Sequence, residues 1–138
     1  MDYLRNSVIT VKSGYNEWEK RQPESKGFKS KHSFEKRKGE SERIISQYPT
    51  RIPLIVERYN KSLPQIDRKK YLVPEDLSMT NLLYVIRKRL KITSEKSIFL
   101  FINEKIVPMS RQVDYVYNKY QDEDGFLYIK YCAENTFG

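Results

Sequence analysis

The sequence predicts a single α+β domain behind a polar amino-terminal extension, and three observations lead there. Four short segments of β-branched or alternating apolar residues lie between turn signals. Two stretches with helical apolar spacing each follow a serine able to cap them. The 138 residues suffice for one modest core and a tail, not for two full domains. Apolar residues at 38% and aromatic residues at 13%, eleven of them tyrosine, are too many for a chain disordered throughout.

Residues 1–27 show no sustained periodicity, and the stretch from Arg21 to Gly27 is polar and rich in helix breakers, so a flexible extension is expected before a domain spanning 28–138. Ser33 is placed to cap a helix over residues 34–47, whose apolar positions Ile44 and Ile45 come near its end. Tyr48-Pro49 ends that helix, because the residue before proline is pushed out of the helical region. Residues 51–57 read as a strand with Ile52, Leu54 and Val56 on one face and Pro53 and Ile55 on the other. Proline brings no N–H, so this strand is expected at or near a sheet edge. A turn over 60–64 and a short strand over 70–73 follow.

Ser78 caps the next predicted helix, running to Leu90 with Leu82, Leu83, Ile86 and Leu90 as its apolar stripe. Arg87, Lys88 and Arg89 in its last turn complement the helix dipole. Residues 97–102 read as a buried strand, 103–105 as a turn, 112–120 as a helix, and 126–131 as the final strand after the turn at 122–125. Residues 132–138 are expected to form an exposed, mobile end. This order of elements fits a ubiquitin-like β-grasp.

Several function classes are excluded or weakened. The longest apolar runs, such as 98–102, fall far short of the about 20 residues a membrane helix needs, and nothing near Met1 resembles a secretory signal. A soluble chain is therefore expected, and the single Cys132, unable to form an internal disulfide, suits the cytosol. His32 and Cys132 are each the only residue of their type and lie in separate segments, which argues against nucleophilic catalysis and against a metal site. The acids at 122–125 lack the other positions of a calcium loop, and the five glycines form no phosphate loop. The chain is expected not to be an enzyme and to carry no cofactor. The formal charge is +8, and residues 28–138 hold 21 basic against 14 acidic side chains, so the domain carries +7 of it. Basic clusters at 36–38, 68–70 and 87–89 leave a nucleic-acid-binding module open as an alternative, although no nucleic-acid motif accompanies them.

Seven blocks carry a resemblance: Phe34-Glu-Lys-Arg37, Ser41-Glu-Arg-Ile44, Tyr48-Pro-Thr-Arg-Ile-Pro53, Lys70-Tyr-Leu-Val-Pro74, Val85-Ile-Arg-Lys-Arg89, Asp122-Glu-Asp-Gly-Phe-Leu-Tyr128 and Glu134-Asn-Thr-Phe-Gly138. In this order they closely resemble the ubiquitin-like modifiers of autophagy, the family that includes GABARAP, with the nearest match among fungal-type members. The resemblance covers residues 28–138 and implies two helices placed ahead of the ubiquitin-like grasp. It also implies that Gly138 is the glycine exposed by a cysteine protease, carried by activating and conjugating enzymes, and joined to phosphatidylethanolamine on the autophagosome membrane. Glycine suits this role because no side chain obstructs its carboxylate at a nucleotide or a cysteine thiolate. The sequence ends there, consistent with a processed form or with a precursor that needs no trimming. Cytoplasm, autophagosome membrane and, by delivery, vacuole or lysosome are the implied locations.

The resemblance also implies a groove for cargo receptors and adaptors bearing an aromatic-x-x-aliphatic motif, with the peptide adding a strand beside residues 51–57. Its aromatic pocket would use Glu40, Ile44, Pro53, Ile55, Lys70, Leu72 and Phe126. Its aliphatic pocket would use Tyr71, Val73, Pro74, Leu77, Leu82, Val85 and Ile86. Arg51, Lys69, Lys70 and Arg89 would face the acids of the peptide. Leu82 stands where many relatives carry Phe, Ser33 replaces a frequent proline, and Trp18 lies in an extension the short members lack. An adaptor that uses the groove without being conjugated is the remaining alternative, and no nucleic-acid partner is expected.

Overall fold

The computed structural model describes residues 23–24, 27–93 and 95–133; of the extension expected over 1–27, residues 1–22 with Trp18 and 25–26 lie outside the described residues, as do 134–138 with Gly138 of the end expected over 132–138. The elements are α1 (Phe28–Lys31), α2 (Phe34–Gln47), β1 (Arg51–Arg58), β2 (Lys70–Pro74), α3 (Met79–Leu90), β3 (Ile98–Ile102), β4 (Lys105–Ile106), α4 (Val113–Tyr120) and β5 (Leu127–Ala133). The strands form one mixed sheet in the order β2-β1-β5-β3-β4, with β1 and β5 parallel at its centre and the other pairs antiparallel. This is the α+β arrangement the sequence predicts, with two helices ahead of the first strand.

Local chemistry sets the helix limits. The Ser33 hydroxyl accepts from the Lys36 N–H at 3.3 Å, and the Ser78 hydroxyl from the Asn81 N–H at 3.1 Å, so each satisfies an amide with no helical partner. At the end of α3, Lys91 takes φ 55° and its N–H donates to the carbonyls of Arg87 and Lys88. Asn103 and Glu104, both at positive φ (51° and 64°), make the tight turn from β3 into β4, a two-residue strand that its sequence does not announce.

Two apolar layers sandwich the sheet. Ile52, Leu54 and Val56 of β1 face the larger one, which Tyr71, Val73, Leu82, Ile86, Leu90 and Val116 complete beneath α3 and α4. Ile55, Leu72 and Phe126 face the smaller one, closed by Phe28 of α1 and Ile44 of α2. Because β1 is covered on both faces, its six central residues are all buried.

β5 runs two residues further than the sequence predicts. Cys132 and Ala133 pair with Phe99 and Ile98 and are buried, so these two residues belong to the sheet and not to an exposed end. The contacts of the folded unit reach back to Glu24, whose N–H donates to the Tyr59 carbonyl at 2.8 Å and whose carboxylate pairs with Arg58.

Candidate functional site

Among the described residues the sheet ends in β2 on one side and in the two-residue β4 on the other, and β2 is the longer edge. β1 is paired on both sides, to β2 over residues 51–55 and to β5 over 54–58, so the expectation that a peptide pairs with residues 51–57 is corrected: that strand has no free edge. Pro53 is tolerated there for a geometric reason. The Val56 N–H points at the Lys69 carbonyl of the β2 side, so alternation turns the nitrogen of Pro53 toward β5, one residue before pairing with β5 begins at Leu54. The same alternation turns the backbone groups of Tyr71 and Val73 toward β1 and leaves those of Lys70 and Leu72 facing outward. A guanidinium nitrogen of Arg51 stands 3.5 Å from the outward Leu72 carbonyl.

Beside that edge lies an open groove of about 540 Å³ between α1, α2 and residues 67–70. Of the residues expected in an aromatic pocket, Glu40, Ile44 and Lys70 line it. Ile55, Leu72 and Phe126 lie underneath, fully buried, and Pro53 is buried in register with Leu72. Lys70 and Glu40 form an ion pair of 2.6 Å across the mouth. Phe28, which sequence reasoning did not place in the site, packs edge-on against Phe126 with ring centroids 5.6 Å apart and lies under the Lys70 ammonium at 5.6 Å. The available signal was a lone aromatic in the polar run Lys26-Gly-Phe-Lys-Ser30. Lys31, His32, Arg43 and Tyr48 also line the groove, and their exposure gave no sequence pattern to find them by.

The turn before β5 holds α2, and so Glu40 and Ile44, in place. Asp124 has no solvent exposure; its carboxylate accepts from Arg37 at 2.5 Å, from the Tyr128 hydroxyl at 2.5 Å and from the Phe126 N–H at 2.9 Å. Burial, with the carboxylate of Asp124 adding to it, pushes the Tyr128 phenol well above its ordinary range. The Ser41 hydroxyl of α2 donates to the Asp124 carbonyl. Lys29 of α1 pairs with Asp122; burial works against that carboxylate, but Lys29 and the Asp124 N–H together hold it below the usual range.

The residues expected in the aliphatic pocket are gathered under α3. Tyr71, Val73, Leu82 and Ile86 are wholly inside the main core, while Pro74, Leu77 and Val85 keep partial exposure. Arg89 requires a correction. It is 4% exposed and donates to both carboxylate oxygens of Asp67, at 3.2 and 2.7 Å, so its charge is consumed inside the domain rather than presented to a peptide. Desolvation pushes the neighbouring Tyr71 phenol up to about 12, against the opposing effect of Arg89. Lys69 pairs with Glu57 at 3.3 Å and Lys70 with Glu40 at 2.6 Å; Lys70 is the more exposed of the two lysines, and it stands with Arg51 at the β2 edge, where an acidic partner would meet them. Among the described residues no cluster of His, Cys, Asp and Glu could hold a metal ion, and no helix is long and apolar enough to cross a membrane.

The arrangement can therefore accept an extended chain along β2, with a side chain entering the groove toward Ile44 and Phe28. Comparison with known proteins identifies the family. Residues 36–138 match the family model described as autophagy protein Atg8, ubiquitin-like. Autophagy-related protein 8 of Eremothecium gossypii is 54% identical over 112 residues, 80% of this chain and 93% of that protein. The protein of the same name from Mycosarcoma maydis is 52% identical over 112 residues, 80% and 95% of the two chains. Among solved structures, Trypanosoma brucei ATG8 superposes with a TM-score of 0.77 at 40% identity, covering 83% of this chain and all of that one. Plasmodium falciparum Atg8, solved in complex with a peptide of Plasmodium falciparum Atg3, gives 0.72 at 32% identity, covering 78% and 98%.

Proposed function

The chain belongs to the Atg8 family of autophagy-related ubiquitin-like proteins, and on that premise we propose that it is a modifier joined through the Gly138 carboxylate to phosphatidylethanolamine on autophagosomal membranes. The chain is the substrate of this chemistry and not its catalyst. An activating enzyme forms an adenylate at Gly138 with loss of pyrophosphate, a cysteine thiolate displaces the nucleotide, and the lipid amine displaces the thiol to leave an amide. The match to the family model runs through residue 138, which supports assigning this role to that glycine.

Once attached, the domain displays β2 as a docking edge for cargo receptors and adaptors. The observation that carries this part is the edge of β2, where the backbone groups of Lys70 and Leu72 face outward beside the groove. An extended peptide supplies the missing strand partners there, and Lys70 and Arg51 favour acids next to its motif. Many copies on one membrane raise the effective concentration for receptors carrying more than one motif. The complex of the Plasmodium falciparum relative with an Atg3 peptide supports a contact with the pathway's own enzymes. Cytoplasm before conjugation, the autophagosome membrane after it, and vacuole or lysosome on delivery are the corresponding locations.

The discriminating experiment is lipidation in a reconstituted reaction, comparing the chain with Gly138→Ala. An adaptor that is never conjugated would bind peptides equally well and give no lipid-linked product.

A further inference from the structure

We infer that the loop over residues 60–66 is a clamp on the base of the conjugated tail, with Ser62 as a positioning residue for delivery of the Gly138 carboxylate. This rests on the modifier reading above and deepens it. Ala133 is the last residue of β5, and residues 134–138 follow it. Parallel pairing of β1 with β5 brings the Tyr59 N–H to the Tyr131 carbonyl at 2.8 Å, and the same ladder carried one step further would send the Ala133 N–H to the Tyr59 carbonyl. That carbonyl accepts from the Glu24 N–H instead, and the Ala133 N–H donates to the Ser62 hydroxyl oxygen at 3.2 Å. A side chain thus takes over where the strand partner ends.

The Ser62 hydroxyl is itself held in place. It donates to the Asn60 side-chain oxygen at 2.6 Å, the same oxygen accepts from the Ser62 N–H at 3.1 Å, and Asn60 has no solvent exposure. Two residues back along β5, the hydroxyl of the buried Tyr131 donates to the Pro64 carbonyl at 2.7 Å and accepts from the Ile66 N–H at 2.8 Å. The loop therefore grips Tyr131 and Ala133, alternate residues at the end of β5, while Ile98 pairs with Ala133 from the other side. None of Asn60, Ser62 and Ala133 lines the groove beside β2, so the clamp is separate from the peptide edge. The five residues beyond Ala133 can carry the chain at most about 18 Å, so the place of Ala133 bounds where the Gly138 carboxylate can go. Fixing that base favours alignment of the carboxylate with a nucleotide or a thiolate.

The test takes the full chain, Ser62→Ala and Ser62→Thr through amide hydrogen exchange and through charging by the activating enzyme, with the conjugating enzyme in excess as acceptor, to give kcat and KM for the chain. Ser62→Ala should lose protection at the Ala133 amide and lower kcat by roughly three- to tenfold at unchanged KM, the effect of one hydrogen bond missing from the productive complex. Ser62→Thr keeps the hydroxyl and should restore both protection and rate. Lost protection with kcat unchanged would overturn the inference and leave the modifier reading intact. A raised KM in place of a lowered kcat would overturn it too, since the docking of the domain would then be at fault and not the placement of the tail. Full protection of Ala133 in Ser62→Ala, or no recovery in Ser62→Thr, would show that the hydroxyl is not what holds the strand end. If the unaltered chain formed no thioester with enzymes that charge another family member, the modifier reading itself would fail, and this inference with it.

Discussion

The guanidinium of Arg37 on α2 lies 2.5 Å from the carboxylate of Asp124, which has no solvent exposure in the turn ahead of β5. This pair ties the helix that carries Glu40 and Ile44 to the strand beneath the groove. Removing either partner leaves a buried charge without its counter-ion, a loss of about 3–5 kcal/mol. Arg37→Ala and Asp124→Ala should each shift the urea midpoint down accordingly. The double variant should cost less than the sum, because the first deletion already removes the shared interaction. Additive losses would mean that the two residues act separately.

Gly125 should be intolerant of a side chain. Its φ is 91°, and a Cβ would strike the Ser41 hydroxyl that binds the neighbouring Asp124 carbonyl. Gly125→Ala should lose at least about 1–2 kcal/mol from the backbone conformation alone, with displacement of α2 adding to it. Chemical denaturation would show this, and an unchanged midpoint would contradict the geometry.

Arg89 should act on stability rather than on docking. Arg89→Ala removes both guanidinium hydrogen bonds from the largely buried Asp67 carboxylate and should destabilise the fold by about 3 kcal/mol. The salt dependence of peptide affinity should stay as it is in that variant, whereas Lys70→Ala should flatten it. The reverse pattern, measured by calorimetry across ionic strength, would return Arg89 to the peptide surface.

Three tyrosines predict the alkaline limit of the fold. Burial raises Tyr71 to about 12 and also raises Tyr128 and Tyr131, against an ordinary value of 10.0. For a group whose folded pKa is raised, the stabilisation is complete below the unfolded value and is lost as pH climbs toward the folded one. Stability should therefore hold up to about pH 10 and fall steeply above it. Tyr131→Phe should make that fall shallower, while costing the hydrogen bonds to the Ile66 N–H and the Pro64 carbonyl. Thermal melts across alkaline pH would check both signs.

Much of the fold was legible because its signals are local. Ser33 and Ser78 mark the starts of α2 and α3 by hydroxyls that find the expected amides, and the alternation of β1 sorts its side chains between the two layers. What was not legible depends on pairing between distant segments. Nothing near residue 51 reveals that β5 returns to lie parallel to β1, and that return closes the second side of β1 and leaves β2 as an edge. The two residues of β4 are too few to show a period. Arg89 reads as a surface cation at the end of a helix until Asp67, far away in sequence, arrives beside it. The strand extension through Cys132 and Ala133 depends likewise on Ile98 and Phe99 across the sheet. Phe28 was read as the start of the domain, while its place in the site follows from Glu57 and Phe126.

The central claim concerns Gly138, and it is tested most directly by incubating the chain with its activating and conjugating enzymes, nucleotide and phosphatidylethanolamine liposomes. The account predicts a lipid-linked product, identified by mass as the amide, that Gly138→Ala does not form. Equal product from both chains, or none from the unaltered chain with enzymes that lipidate another family member in parallel, would contradict it.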